Sequence, residues 1–261
     1  MRQKYIVYFL ALLLSACVLR LSDDGDVIMG NKKVIIKIIQ TKEYDQIKSH
    51  GSIDVYYEQG KEGHIRLEAE ENLMDYIEVT EMNGCLNLSI KSGLNYITFK
   101  GLKAYVPIQT IDELHILGSG DMQSQSTIHS KALELYIEGS GDMDLDLNTE
   151  RLKAEILGSG DMNIKTTSIS QLDSKVLGSG DMTMSGSCDN INLEINGSGD
   201  FLGFELKSKD VDVNLKGSGD VYVYSESELN VNVLGSGDVV YKSKPSTKNL
   251  IVKGSGEISK Y

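Results

Sequence analysis

The chain has no tryptophan, only four phenylalanines and only three cysteines in 261 residues. If Cys17 belongs to the leader region described below, Cys85 and Cys188 are left, and two cysteines are too few for a disulfide framework. Positive charge is also scarce. Lys and Arg number 26 against 38 acids, for a net charge of −12. An acidic surface of that size argues against nucleic-acid binding, which needs clustered Lys and Arg. The four histidines, His50, His64, His115 and His129, are scattered, with no Ser or Cys nucleophile pattern around them. What the chain does have is glycine, 26 of them. A chain poor in large aromatics and rich in glycine reads as strands and turns.

The first residues, MRQKYIVYFLALLLSAC, place a short basic start (Arg2, Lys4) before an apolar run from Ile6 to Leu14. That run is a secretory signal, too short to span a bilayer. Leu14-Ser15-Ala16-Cys17 resembles a bacterial lipobox, with cleavage before Cys17 and acylation of its thiol. The alternative is an ordinary signal peptide cut after Ala16. On the lipobox reading, residues 1–16 are the signal peptide and 17–26 a tether. Acyl methylenes then supply the membrane affinity. Loss of Arg2 and Lys4 moves the mature charge from −12 to −14. The expected location is the cell envelope, lipid-anchored, at the outer membrane.

Gly-Ser-Gly-Asp begins at Gly118, Gly139, Gly158, Gly178, Gly197, Gly217 and Gly235, and a variant, GSGE, begins at Gly254. A period of about twenty residues signals stacked supersecondary units. Two residues before each GSG stand Ile116, Ile137, Ile156, Val176, Ile195, Leu215, Val233 and Val252. Just after the acid stand Met122, Met143, Met162, Met182, Phe201, Val221, Val239 and Ile258. Polar residues alternate with these on both sides, which is the period-two pattern of strands with one buried face. The segment around the corner keeps its length, and variation falls in the return, as in NTER against TTSISQ. This pattern predicts an all-β fold with a parallel β-solenoid over 113–261, its GSGD corners tight and its returns looser. Coils about 4.8 Å apart would make a rod roughly 35–40 Å long. An antiparallel meander of hairpins is the structural alternative.

The corner glycines are Gly118, Gly120, Gly139, Gly141, Gly158, Gly160, Gly178, Gly180, Gly197, Gly199, Gly217, Gly219, Gly235 and Gly237. Glycine reaches backbone regions closed to other residues and leaves room for a neighbouring chain. Ser and Asp can bond nearby backbone of their own turn and so close it. The chemical readings compete with this structural one. GSGD superficially resembles the calcium repeats of secreted solenoids, but those have a nine-residue period and a double glycine. Stacked acids about 5 Å apart repel by roughly 0.9 kcal/mol per neighbouring pair at the dielectric of water. A divalent cation at Asp161, Asp181 and Asp200 would relieve this, yet one acid per coil offers only a weak, water-rich site. A phosphate loop fails, because a carboxylate and a strand follow each GSG where a helix is needed. No cofactor is expected.

Residues 27–112 lack the repeat but remain β-rich, with VIIKIIQT, SIDVYYEQ, HIRLEAE and CLNLSIK. Asn83-Gly84 marks a tight hairpin turn, and ENLMDYI suits one helical turn. HGSIDVY, His50–Tyr56, is a degenerate corner with Ile53 in place of the second glycine. Asp112 and Lys248 stand where the middle repeats carry Leu, Ile or Val, as end-capping would require. Taken together, YDQIKSHGSIDVYYEQG, NLMDYIEVTEMNGCLNLSI and IDELHILGSGDM resemble the "putative auto-transporter adhesin, head-GIN domain" family over roughly residues 40–261. The resemblance implies an extracytoplasmic protein with a right-handed parallel β-helix-like fold and an adhesive or binding role. It brings no catalytic residues. Glu257 departs from the motif in the last coil only. The expected function is a non-catalytic binding or scaffold module with a glycan or protein ligand. The alternative is a β-helix carbohydrate-active enzyme, a lyase or hydrolase. A local break in the coils, with clustered acids and a basic residue in a groove, would favour the enzyme.

Overall fold

Alternation within each repeat becomes stacking between repeats. The structure, a computed structural model, describes residues 27–261, which form a parallel β-solenoid of about seven turns. On the face that precedes the corner, Leu114, Leu135, Ala154, Ser174, Leu193, Val213, Val231 and Leu250 lie opposite one another in successive parallel strands. On the face that follows it, Met122, Met143, Met162, Met182, Phe201, Val221, Val239 and Ile258 do the same. All but Leu250 and Ile258, in the last coil, are buried. Like side chains stack on like, and each fully buried aliphatic contributes about 1.5–3 kcal/mol. Every pairing among the repeats is parallel, which overturns the meander.

The return differs from expectation. Strands such as Met143–Ile156 run through it without a break. Thr149 points inward there, and its hydroxyl donates to Arg151 O at 3.0 Å. Ser130 does the same to Ala132 O at 2.8 Å, and the Cys188 thiol to Asn190 O at 3.1 Å. The return is therefore a second stacked bend. Its length changes are absorbed by bulges, with register shifts between Thr183 and Ser185, Gly203 and Lys207, and Ser208 and Asp210.

At the corner the reason for glycine is room. None of the repeated corner glycines has a positive φ. A Cβ on Gly139, Gly158 or Gly178 would fall on the carbonyl oxygen of the preceding coil's first glycine, and one on Gly141, Gly160 or Gly180 on that of its second. This close approach lets the corner chains bond directly. Ser140 N–H donates to Gly118 O at 2.8 Å, Ser159 N–H to Gly139 O at 2.8 Å, and Ser179 N–H to Gly158 O at 2.9 Å.

The degenerate corner begins this ladder. Strand Gln46–Gly51 lies parallel beneath Glu113–Gly118, with Gly51 opposite Gly118, and Val55 lies opposite Met122. A further coil lies beneath that one. Cys85–Ile90 pairs with Gln46–Gly51, and Leu102–Ile108 with Ile53–Gln59, both parallel. Residues 27–112 and 113–261 thus share one sheet and one core. The cap is antiparallel. Ile77–Met82 pairs with Cys85–Ile90, His64–Glu70 with Leu102–Ile108, and Val34–Gln40 with His64–Glu70. Asp112 is not in a cap. It lies between coils, its N–H donating to Asp45 O at 2.8 Å, while Ile111 is buried beside it. The helical turn is a 3-10 turn at Met74–Tyr76. In the Asn83-Gly84 turn φ is 52° and 79°, the left-handed pair that a two-residue hairpin needs.

Glu70 fastens the cap. Fully buried, it accepts Lys32 N–H at 2.6 Å, the Thr98 hydroxyl at 2.8 Å and Phe99 N–H at 2.9 Å. Burial raises its carboxyl pKa, but these donors outweigh it and hold the group below the usual carboxylate range.

Replacing Gly160 by Val should cost about 3 kcal/mol or more, a fall in Tm of about 6–12 °C. The same change at Asn148, exposed on the return, should cost under about 0.5 kcal/mol. Equal melting shifts would show that the GSG corner is not the tighter of the two.

Candidate functional site

The repeated acids were the first candidates for chemistry. Each of the seven Asp places an Oδ1 oxygen on the backbone N–H of the acid one coil further on. Asp142 N–H donates to Asp121 at 3.0 Å, Asp161 to Asp142 at 2.8 Å, Asp181 to Asp161 at 2.8 Å, and Asp200 to Asp181 at 2.8 Å. Asp220, Asp238 and Glu257 continue the ladder at 2.7, 2.8 and 2.8 Å. Asp121 starts it on Asp54 at 3.2 Å. The carboxylates therefore bond between coils, where bonding within their own turn was expected. An N–H pointing at a carboxylate is about twice as strong a donor–acceptor pair as a neutral one. One oxygen of each acid is thereby committed to structure. Among the described residues no three His, Cys, Asp or Glu side chains converge as a metal site.

The other reactive groups are dispersed. Cys85 and Cys188 are free, and burial pushes the Cys188 thiol up to about 12. His115 lies 3.1 Å from Glu138 and 3.6 Å from Glu113, its ring against Tyr136. Burial lowers its pKa, with Glu138 pulling the other way. Cys17 lies outside the described residues, and among those described no helix is long and apolar enough to cross a membrane.

The largest of the register shifts lies between Gly203 and Lys207. After Phe201 the chain reads Leu202-Gly203-Phe204-Glu205-Leu206, and residues 204–206 have no partner in the next coil. A Cβ on Gly203 would meet the Phe201 ring, so glycine is required where the arm leaves the ladder. Leu202 lies opposite Thr183 and Tyr222 on the outer surface. Phe204 packs edge-on against Tyr222 and Tyr261, each at 5.2 Å between ring centroids. Lys242 Nζ sits 4.3 Å from the Phe204 centroid and 5.1 Å from that of Tyr261, and 3.5 Å from Glu205 Oε1. Thr183, Met184, Ser185, Leu202, Phe204, Glu205 and Tyr222 enclose an open groove of about 390 Å³. Its walls are almost wholly carbon. Sequence reasoning passed over this site, yet a signal was present: Leu202, Phe204 and Tyr222 are large apolar or aromatic residues at outward-facing parity.

A parallel solenoid with a shared corner ladder, carrying an apolar groove on an outer face, has the form of a binding scaffold. The chain belongs to the family described as "Putative auto-transporter adhesin, head GIN domain", which matches residues 43–245. No curated protein matches it. Among solved structures, a "putative lipid binding protein" of Parabacteroides distasonis is similar at 26% identity and TM-score 0.82, over 90% of this chain and 100% of that one. A "putative adhesin" of Parabacteroides merdae shares the fold at 21% identity and TM-score 0.82, over 91% and 100%. Another from Bacteroides fragilis does so at 22% and 0.70, over 90% and 100%. The family and these neighbours are named as adhesins or lipid-binding proteins, not as enzymes, and an adhesin-like family points to the cell envelope or surface.

Because one oxygen of each ladder acid already serves a backbone N–H, calcium should raise Tm no more than magnesium at matched ionic strength, by screening alone. A saturable, calcium-specific rise in Tm with a sub-millimolar midpoint, lost when Asp161, Asp181 and Asp200 become Asn, would restore the metal reading.

Proposed function

We propose that this protein is a lipid-anchored, non-catalytic binding module of the cell envelope, adhesin-like, that holds its ligand on the outer face around Leu202, Phe204 and Tyr222. The observation that carries the reading is the groove itself. Leu202 is exposed on the outer face and Phe204 is only partly covered by Tyr222 and Tyr261, and an apolar surface rimmed by polar residues marks a contact site. The lipobox-like Leu14-Ser15-Ala16-Cys17 supports anchoring through Cys17 at the outer membrane. The description of one similar structure as a lipid-binding protein agrees with an apolar ligand surface.

The enzyme alternative named a local break with clustered acids and a base as its signature. The break is present at Gly203–Lys207, and Lys242 is at its edge, but Glu205 is the single carboxylate among the groove's walls. Glycoside hydrolysis needs two carboxyl groups flanking the bond. A binding role fits this arrangement better.

Cells producing the chain, applied to surfaces coated with glycans, protein or lipid, should be retained on at least one coating and release no reducing sugar. Phe204→Ser should abolish retention in a chain that still folds, with Tm lowered by only a few degrees for the lost aromatic contacts, and Cys17→Ala should move the chain from the membrane to the soluble fraction. Retention indifferent to Phe204→Ser would overturn the groove reading. Unchanged membrane association in Cys17→Ala would overturn the anchor, and sugar release above blank would reinstate the enzyme.

A further inference from the structure

Resting on that reading of the groove, we infer that its ligand is a single alkyl chain ending in a carboxylate, the chain lying along Leu202, Phe204 and Tyr222 and the carboxylate meeting Lys242. Three features of the site select this chemistry. The first is the lining. Leu202, Phe204 and Tyr222 present carbon, Thr183 and Ser185 supply the few hydroxyls, and the Met184 side chain is buried beneath. A sugar carries a polar group on nearly every carbon and would leave most of them without partners, which is costly. An alkyl chain brings no such groups, and each methylene it removes from water favours binding.

The second is shape. The walls come from three successive coils, those of Met182–Ile195, Phe201–Leu215 and Val221–Val233. At about 4.8 Å per coil the groove runs roughly 10 Å along the stack. It is open to solvent along one side, so an extended chain fits it better than a compact ring system. Phe204 and Glu205 form its wall where residues 204–206 have no partner in the next coil, while Glu205 and Leu206 stay paired with Ser185 and Gly186 of the coil before.

The third is charge. Lys242 is held over the faces of Phe204 and Tyr261, whose rings attract its positive charge. Its protein partner, Glu205, is 3.5 Å away on a side chain that is 79% exposed. A pair so long and so solvated holds its partners weakly. A ligand carboxylate entering beside Phe204 can take the place of Glu205, which swings out to water. The groove thus offers an apolar track with an exchangeable cation at its edge.

The test uses the purified chain with cis-parinaric acid, a fluorescent fatty acid, in detergent-free buffer below the micellar range. We expect one-to-one saturable binding, displaced by dodecanoate and not by a maltooligosaccharide. Phe204→Ser should weaken it at least tenfold. Should that variant melt early, Leu202→Gln tests the same wall from the outer face of a regular strand. Lys242→Gln should weaken dodecanoate severalfold while leaving dodecanol unchanged, a split that a merely structural lysine would not produce. Binding unaffected by either groove variant would overturn the site. Equal affinity for dodecanoate and dodecanol in the wild type would overturn the role of Lys242. Displacement by the sugar, or no parinarate binding in a chain whose surface retention still needs Phe204, would overturn the alkyl ligand while leaving the groove as the contact face.

Discussion

The whole molecule depends on how close two corner chains are allowed to come. With hydrogen at both glycine positions, the backbone of each coil rests directly on the backbone of the one before, and Ser140 N–H reaches Gly118 O at 2.8 Å. The carboxylate two residues after the serine then accepts the next coil's N–H, as Asp142 does for Asp161 at 2.8 Å. These contacts fix the rise and the register at one point of every turn. Once they are fixed, Met stacks on Met and Ile on Ile, because any slip by one residue would turn the buried set outward. The repeated carboxylates bear some mutual repulsion, offset by the charge-assisted bonds they accept.

A rod made this way is uniform, and uniformity bears on function. Eight repeated acids define no unique place for chemistry, and the inner oxygens of the seven Asp are already engaged. Specificity has to come from where the repeat fails. The failure is at Gly203–Lys207, where the ladder tolerates an overhang because the return bends, unlike the corners, can bulge. The same asymmetry explains why the variable segment lengths all lie on that side. The tight corner supplies stability and the permissive bend supplies the site.

Much of this was legible in the sequence. The period of the GSGD copies, the alternation flanking them and the constant corner length give the solenoid, its inward columns and its strict edge directly. HGSIDVY was readable as a degenerate corner because Gly51, Ser52 and Asp54 keep their spacing, and Ile53 marks where the stack is less crowded. Other features depend on pairing between distant segments, which local pattern does not encode. Strand Cys85–Ile90 lies beneath Gln46–Gly51 although it follows it in the chain, so the cap could not be placed from Asp112. Whether an Asp bonds its own turn or its neighbour's depends on the distance between coils, not on the motif. The groove and its edge needed Phe204, Tyr222 and Lys242 from three strands and Tyr261 from just after a fourth, and only outward parity hinted at it.

The ladder itself is tested most directly by separating the acceptor from the charge. Replacing Asp161, Asp181 and Asp200 by Asn keeps an oxygen for the N–H groups of Asp181, Asp200 and Asp220, whereas Ala removes it. In thermal unfolding, we expect the triple Asn variant to melt within a few degrees of the wild type. The triple Ala variant should lose about 3–5 kcal/mol, or about 6–20 °C in Tm. Equal melting temperatures for the two would contradict the claim that these carboxylates join coil to coil.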